Sequence, residues 1–280
     1  MPFEIRKISD VGTTNPIVAR LAVQTFDLVQ WLKAESGQRE EITHLYLNAL
    51  KPRLIRCEKF KNELVNKIVE CDRSIELQKL QDPRIRQVPH ITELQGIAEG
   101  FLYEAKNFVR DLLGLFRIVY GCELKNASDF ADLKRQGESN LVKWAVKTFG
   151  EEHHLTKLLR TEQRWSGEFI RMRNAIEHPD GKSGTVTIQN VRTRTNPSGF
   201  VPPTWQLTSQ PEGDIARDME TGIHNMLTLA EDLLVHTILD RPVFEHIQFC
   251  EIPDDQRNAD CPIRLTVQLS PKLLATLPKR

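Results

Sequence analysis

The sequence predicts a mainly α protein with a small antiparallel β-sheet, and two patterns support this prediction. Between residues 15 and 178, apolar residues recur at spacings of three and four, the period of helices with one buried face. After Gly184, β-branched residues alternate with polar ones, which is typical of strands. We therefore expect helices to dominate residues 15–178 and strands to be confined to the part after Gly184.

The first ninety residues are expected to form two helices. Asn15 followed by Pro16 combines a capping residue with a first-turn proline, and the apolar series that follows predicts a helix to about Ser36. A second helix is predicted over about 39–80. Pro52 should bend or divide it, because proline lacks the N–H that a helix interior needs.

A helical core is predicted after the connector 81–89, which has two prolines and no periodicity. Its helices should span about 93–120, 138–149, 155–178 and 215–239. Residues 184–209 predict a β-hairpin with a turn at Asn196-Pro197-Ser198-Gly199. Two further strands, near 243–250 and 263–269, are expected on the same small sheet.

Three regions follow from these boundaries. They are an N-terminal helical region at 1–90, a helical core at 91–240 with the hairpin 184–209 as an insertion, and C-terminal strands at 241–280 packed on the core. The length of 280 residues is compatible with one large domain or two small ones.

The composition gives no strong overall attraction for polyanions. Its 38 Lys and Arg residues balance 38 Asp and Glu residues, so contact with a nucleic acid would have to be local. Six basic residues between Lys51 and Lys67 form one local excess. They could contact phosphate, although a charge run on a helix is more often a solvated face.

Several signs favour the cytoplasm as the location. The five cysteines are widely spaced and form no CxxC pair, which favours free thiols in a reducing compartment. The N-terminal residues lack the apolar core of a secretory signal, and no apolar run approaches the roughly 20 residues that span a bilayer. We therefore expect a cytoplasmic protein without a membrane partner.

The helix predicted over 155–178 has two different sides. The side expected to face the core carries Leu155, Leu158, Trp165, Phe169, Met172 and Ile176. The opposite side, called here the cationic stripe, carries Arg160, Arg164, Gly167, Arg171, Asn174 and His178. Pro179 disfavours a helical conformation at His178, which is therefore expected at an exposed helix end. Residue types alone fit a solvated face as well as a binding site.

The end of this helix, Arg173-Asn174-Ala175-Ile176-Glu177-His178-Pro179, resembles the signature of the HEPN superfamily. That signature is an arginine, a polar residue, and a histidine after a gap of four to six, at the end of a bundle helix. FLYEAKNFVRDLLGL, in the helix predicted over 93–120, resembles the first core helix of several HEPN families. The resemblance covers about Thr92 to Leu239. Many members are metal-independent ribonucleases that work as dimers and others have lost catalysis, so the resemblance implies either outcome.

The residue types suit RNA cleavage without a metal. RNA carries its own nucleophile, the 2′-hydroxyl, so a site needs a proton acceptor, a proton donor and a cation beside the phosphate. His178 can donate or accept a proton, and Arg173 can hold two phosphate oxygens. Asn174 would orient the reacting groups. The negative end of a helix favours imidazolium, and hence a donor or phosphate-binding role for His178.

Helix geometry keeps the two principal residues apart. Arg173 and His178 are five residues apart and therefore about 140° apart around an ideal helix, while Arg173 has ion-pair spacing to Glu177. Arg171 shares the side of the imidazole and is the alternative arginine. A symmetric dimer would place two helix ends together, with two histidines as donor and acceptor. Gly167 would allow close approach of the two helices.

The function predicted from the sequence is endonucleolytic cleavage of RNA by attack of the 2′-hydroxyl, which leaves a cyclic phosphate. Arg173, Asn174 and His178 are the predicted catalytic residues, and Arg160, Arg164 and Arg171 would bind the RNA. No cofactor and no metal are expected. The stretch Glu151-Glu152-His153-His154 is better explained as a solvated turn with acidic residues near a helix N-terminus.

Family analogy extends these expectations to partners. RNA, a second copy in a homodimer with a composite site, and an antitoxin or regulatory protein would be the partners of such a toxin or defence effector. The alternative is a catalytically inactive HEPN-type module that binds a protein or a nucleotide.

Overall fold

The computed structural model describes residues 11–81, 87–131, 137–179, 181–195, 198–270 and 273. Helices dominate this part of the chain, and its few strands are short and antiparallel, which confirms the predicted mainly α fold class. None of the helices described is long and apolar enough to cross a membrane.

The helices are α1 (Pro16–Val18), α2 (Gln24–Val29), α3 (Gln38–His44), α4 (Lys51–Gln81), α5 (Leu94–Tyr120), α6 (Ala127–Phe130), α7 (Asn140–Phe149), α8 (His154–Glu177) and α9 (Ile215–Asp240). The strands are β1 (Val186–Gln189), β2 (Arg192–Thr195), β3 (Ser198–Val201), β4 (Thr204–Leu207), β5 (Gly213–Asp214), β6 (Ile247–Glu251) and β7 (Leu265–Leu269). Two π-helical segments, Ala19–Val23 and Leu45–Leu50, precede α2 and α4 respectively.

The chain divides into two compact units, each assembled from segments that are far apart in sequence. The first unit comprises Met1–Pro52, Gly114–Cys122 and Leu227–Arg280. The second unit comprises Arg53–Leu113 and Glu123–Met226.

The first predicted helix is shorter than expected. α2 ends at Val29, whereas the apolar pattern predicted a helix to about Ser36. After α2, the backbone pairs with a distant segment of the first unit: Leu32 forms a bridge with Pro242, and the Lys33 N–H donates to the Arg241 carbonyl at 2.7 Å. The helix stops here because its next backbone groups are used in this long-range pairing.

Pro52 is accommodated by a change of helical pitch. The π-helical segment Leu45–Leu50 lies directly before it, and α4 then continues to Gln81. A proline ring crowds the carbonyl four residues earlier, and a wider π turn relieves that crowding. The predicted irregularity at Pro52 is thus present as a wider turn before the proline.

Ion pairs account for most of the basic excess between residues 51 and 67. Glu104 of α5 accepts from Arg53 at 2.9 Å and pairs with Arg56 at 2.8 Å. Lys61 pairs with Glu220 at 2.7 Å, and Lys67 pairs with Glu93 at 3.0 Å. These pairings favour a structural role for this run of charges.

A buried ion network holds the first unit together. Glu231 of α9 is 1% exposed and accepts hydrogen bonds from Arg20 Nε at 2.8 Å and Gln24 Nε2 at 2.6 Å. Arg264 Nε lies 2.9 Å from the same carboxylate. The Gln24 side-chain oxygen accepts the N–H groups of Arg264 and Leu265, each at 2.7 Å. This network, called here the Glu231 network, connects the π-helical segment and α2 to α9 and β7.

The strands form three separate antiparallel sheets within the described ranges, which differs from the single sheet expected. The predicted hairpin is present as β1 paired with β4 and β2 paired with β3, and β5 extends the first pair. β6 pairs with β7 instead of joining the hairpin. The first residue of β7, Leu265, is held by Gln24 of the first unit, whereas β1 to β5 belong to the second unit.

Aromatic packing ties the hairpin to the helices of the second unit. Phe101 of α5 is fully buried, and its ring centroid lies 5.8 Å from that of Phe169 on α8 and 6.4 Å from that of Trp205 on β4. Trp205 Nε1 donates to the Asp218 carboxylate at 2.6 Å. The core of the second unit therefore fixes α5 and α8 beside each other.

Candidate functional site

The helix that carries the motif ends where the sequence predicts. α8 ends at Glu177, and His178 caps it outside the helical region with φ −134° and ψ 72°. The Gly181 N–H then donates to the His178 carbonyl at 3.0 Å. A Cβ added at Gly181 would lie 2.9 Å from that carbonyl oxygen, so a glycine is needed for the chain to turn back at this point. His178 is exposed, as predicted.

The buried side of α8 is rotated from the predicted one. Its buried residues are Leu155, Thr156, Leu159, Ser166, Gly167, Ile170, Met172 and Ala175. Leu158, Trp165, Phe169 and Ile176 are only half-buried. The expectation that Gly167 lies on an outer face open to a second copy is wrong. Gly167 packs inside the chain, where an added Cβ would lie 3.3 Å from the Cβ of Ala131.

The arginines of the cationic stripe do not converge on one site. Arg160 donates from Nε to the Glu138 carboxylate at 2.8 Å, Arg164 is exposed, and Arg171 is half-buried. None of the three is among the described residues that line the cleft around His178. Their role in RNA binding stays a prediction.

Asn174 and His178 lie in a cleft of about 720 Å³ within the second unit, called here the Lys106 cleft. Four segments line it: Tyr103, Lys106, Asn107 and Arg110 of α5; Asn126, Ala127 and Ser128 at the start of α6; Asn174, Glu177 and His178 at the end of α8; and Lys182 and Ser183 after it. The cleft thus brings two of the predicted catalytic residues together with polar side chains of three other segments.

Positive charge predominates among the described residues of the cleft wall, where Lys106, Arg110 and Lys182 face the single carboxylate of Glu177. Lys106 Nζ donates to Asn174 Oδ1 at 2.8 Å and to Glu177 Oε2 at 2.6 Å. Arg110 bonds to Asp111, yet 44% of its side chain is exposed. Cations that converge in a concave site attract and hold anions, and arginine and lysine both bind phosphate well.

Arg173, the predicted catalytic arginine, contacts the wall of the cleft without lining it. Its Nη2 lies 3.2 Å from Glu177 Oε1, the ion pair that its spacing predicts. Its guanidinium carbon lies over the ring of Tyr103, 5.5 Å from the centroid, in a cation–π contact. The side chain is 16% exposed. Arg173 therefore acts on the cleft through Glu177 and Tyr103.

Glu177 connects the two cations Lys106 and Arg173. Partial burial alone would raise the pKa of Glu177, but the hydrogen bond from Lys106 and the charges of Lys106, Arg173 and His178 lower it below its usual value. The carboxylate is thus ionised at neutral pH and holds both cations in place.

One polar group in the cleft wall has no partner among the described residues. Asn107 is 7% exposed, and its side-chain amide nitrogen is buried without a hydrogen bond. An unsatisfied buried donor costs about 1–3 kcal/mol. Such groups are rare in native proteins and call for an explanation, of which ligand binding is one.

Lys106, Arg110 and Asn107 are site residues that the sequence analysis missed. Together with Tyr103 they follow the spacing i, i+3, i+4, i+7, which forms a polar stripe along one side of α5. This spacing was visible in the sequence. Its meaning depends on α8, because the stripe becomes a cleft only where Asn174 and Glu177 face Lys106.

The comparisons with known proteins add no relative. No family model, curated protein or solved structure matches this chain. The resemblance to the HEPN superfamily therefore depends on the residues of α5 and α8 themselves.

Proposed function

We propose that the protein binds RNA in the Lys106 cleft and cleaves it without a metal, by attack of a 2′-hydroxyl on the adjacent phosphate. The observation that carries this proposal is the placement of one imidazole, His178, beside Asn174 and three cations in an open cleft. A cleft with this charge suits a phosphate, and the imidazole suits proton transfer near neutral pH. The roles of toxin or defence effector, inferred by family analogy, belong to the same proposal.

In the proposed reaction, Lys106, Arg110 and Lys182 hold the phosphate. The 2′-oxygen attacks phosphorus and the bond from phosphorus to the 5′-oxygen breaks, which leaves a 2′,3′-cyclic phosphate. His178 gives its proton to the departing 5′-oxygen, a role that suits an imidazolium at the negative end of α8. Lys106 would exchange its present acceptors, Asn174 and Glu177, for phosphate oxygens.

The acceptor of the 2′-hydroxyl proton is proposed to come from a second copy of the chain. His178 is the single imidazole among the described residues that line the cleft, so one copy offers a donor without a second imidazole as acceptor. A symmetric homodimer with adjoining clefts would supply both. Light scattering should then show a dimer under the conditions of cleavage, and an active monomer would contradict the composite site.

The alternative function is a catalytically inactive module that binds a nucleotide. It is favoured by one observation: the motif arginine, Arg173, is engaged with Glu177 and Tyr103 and does not line the cleft. In that case the cleft would bind phosphate through Lys106 and leave the RNA intact.

The decisive experiment incubates the purified protein with RNA in EDTA and identifies the product ends. The wild type should produce cyclic phosphates, and His178→Ala should be slower by about 10²-fold or more, the usual contribution of general acid–base catalysis. His224→Ala is the matched control, because His224 is exposed on α9 outside the cleft. RNA that is bound but not cut would favour the inactive module, and absence of RNA binding would refute the proposed nuclease.

A further inference from the structure

We infer that Tyr103 is a stacking platform for an unpaired base, so that the Lys106 cleft takes single-stranded RNA in preference to duplex RNA. The inference rests on the proposed RNA-binding function and names the substrate class of the same cleft. It also assigns Arg173 a role other than contact with phosphate.

The exposure of Tyr103 is the first observation. Tyr103 is 48% exposed although Phe101, Leu102, Glu104 and Ala105 beside it on α5 are buried. Its ring belongs to the wall of the cleft. An aromatic ring presented at a cationic groove is the usual means by which proteins bind single strands, because every base has a π-face that can stack on it.

The second observation is that the ring is held in place. The Arg173 guanidinium lies over it at 5.5 Å from the centroid, and Glu177 holds that guanidinium at 3.2 Å. With 16% of its side chain exposed, Arg173 is fixed more firmly than a surface arginine. Arg173 is thus a positioning residue, which orients Tyr103 while Glu177 holds Lys106 with its other oxygen.

Spacing along α5 places a phosphate site and a hydrogen-bond donor beside the platform. Lys106 and Asn107 follow Tyr103 by three and four residues, so all three side chains lie on one side of the helix within about one turn. Lys106 offers an ammonium for a phosphate, and the amide of Asn107 has an unused donor for an acceptor on the base or sugar. A single nucleotide carries both the phosphate and such an acceptor.

Stacking on Tyr103 requires that the base leave its own stack. Bases in an A-form duplex are paired and stacked on both faces, whereas bases of loops and single strands are free to stack on a protein ring. The cleft should therefore discriminate by strandedness, with no requirement for a particular base at the platform.

The test measures binding to oligonucleotides that cannot be cleaved, by fluorescence anisotropy in EDTA. Three 2′-O-methyl ligands of equal length are needed: a single strand, the same strand with abasic nucleotides, and the duplex. The variants are Tyr103→Leu, which removes the ring, and Tyr103→Phe, which keeps it. Phe26→Leu is the matched control, because Phe26 is 49% exposed and lies outside the cleft. Thermal unfolding of each variant checks that the fold is intact.

We expect Tyr103→Leu to weaken binding of the single strand by about 5- to 100-fold, the range that loss of one stacked base produces. Tyr103→Phe and Phe26→Leu should bind like the wild type. Removal of the bases should weaken the wild type by a similar factor and affect Tyr103→Leu much less. Arg173→Lys, which keeps the charge and loses the planar stacking group, should show an intermediate loss.

Equal binding of the single strand by Tyr103→Leu and the wild type would overturn the inference, as would wild-type preference for the duplex. These outcomes are separate from those of the proposed cleavage, because the ligands have no free 2′-hydroxyl. If the protein binds single strands through Tyr103 but cuts none, the stacking inference holds and the proposed nuclease function fails. If it cuts RNA but binds single strands equally well without the Tyr103 ring, the nuclease function holds and the stacking inference fails.

Discussion

The Glu231 network and the Lys106 cleft both place a carboxylate between two cations, but they differ in how far these charged groups are exposed. Glu231 is 1% exposed, and Arg20, Gln24 and Arg264 surround it. Glu177 is 31% exposed, and its partner Lys106 is 25% exposed at the wall of an open cleft. A buried network whose charged groups pair with one another stabilises the fold. A network with exposed charges and an unpaired amide nearby can bind a ligand.

Electrostatics of the two regions agree with this difference. Burial alone would lower the pKa of the Arg264 guanidinium, but the carboxylates of Glu231, Asp232 and Glu251 raise it above its usual value. These carboxylates therefore offset the cost of burying the charge of Arg264. In the cleft, the side chain of Lys106 is partly exposed. Lys106 can therefore exchange Asn174 and Glu177 for other acceptors, because water still solvates its charge.

The largest expected effect is on folding. Glu231→Ala should destabilise the protein by about 3–5 kcal/mol, because it leaves Arg20 and Arg264 buried without their shared carboxylate. Urea unfolding would measure this as a lower midpoint. Glu168→Ala, on the exposed side of α8, is the matched control and should change the free energy of unfolding by no more than about 0.5 kcal/mol. Similar midpoints for the two variants would show that the Glu231 network does not stabilise the fold.

The cleft should show the reverse pattern, with a small effect on folding and a larger one on binding. Lys106→Ala should weaken RNA binding by about 10- to 100-fold, since hydrogen bonds to charged groups contribute about 1.5–3 kcal/mol. Lys143→Ala, at an exposed position of α7 outside the cleft, is the control. Binding titrations at fixed salt would measure the effect.

The same titrations compare the cleft with the cationic stripe. Arg164→Ala removes the exposed arginine of that stripe and should weaken binding less than Lys106→Ala, because Arg164 does not line the cleft. A larger loss for Arg164→Ala would move the RNA site from the cleft to the stripe.

The smallest effect concerns pH. The folded-state pKa of Glu177 is lowered, so its contribution to stability is full above the unfolded value of about 4.3 and is lost as the pH falls through the lowered pKa. Glu177→Gln should therefore be less stable than the wild type by up to about 1 kcal/mol at pH 7, and the difference should shrink as the pH falls below about 4.3. Urea midpoints measured across this pH range test the prediction, and a constant difference would exclude the ionisation of Glu177 as the cause.

Much of the local structure was predictable because it depends on neighbouring residues. The bounds of α5, α7 and α9, the exposed position of His178 and the pair between Arg173 and Glu177 follow from helical periodicity, capping residues and spacing. Predictions that needed a distant partner were less accurate. The end of α2 depends on the segment around Pro242, and the buried side of α8 depends on neighbours such as Ala131.

The sequence by itself determined that the chain is mainly helical, that its strands follow residue 184, and that an arginine, an asparagine and a histidine end one helix. These features depend on residues that lie close together in the sequence. Only the tertiary structure decided which cation lies beside the asparagine, because Lys106 and Asn174 are 68 residues apart and meet where α5 packs beside α8. Periodicity shows which residues share a side of a helix, whereas packing determines what that side faces.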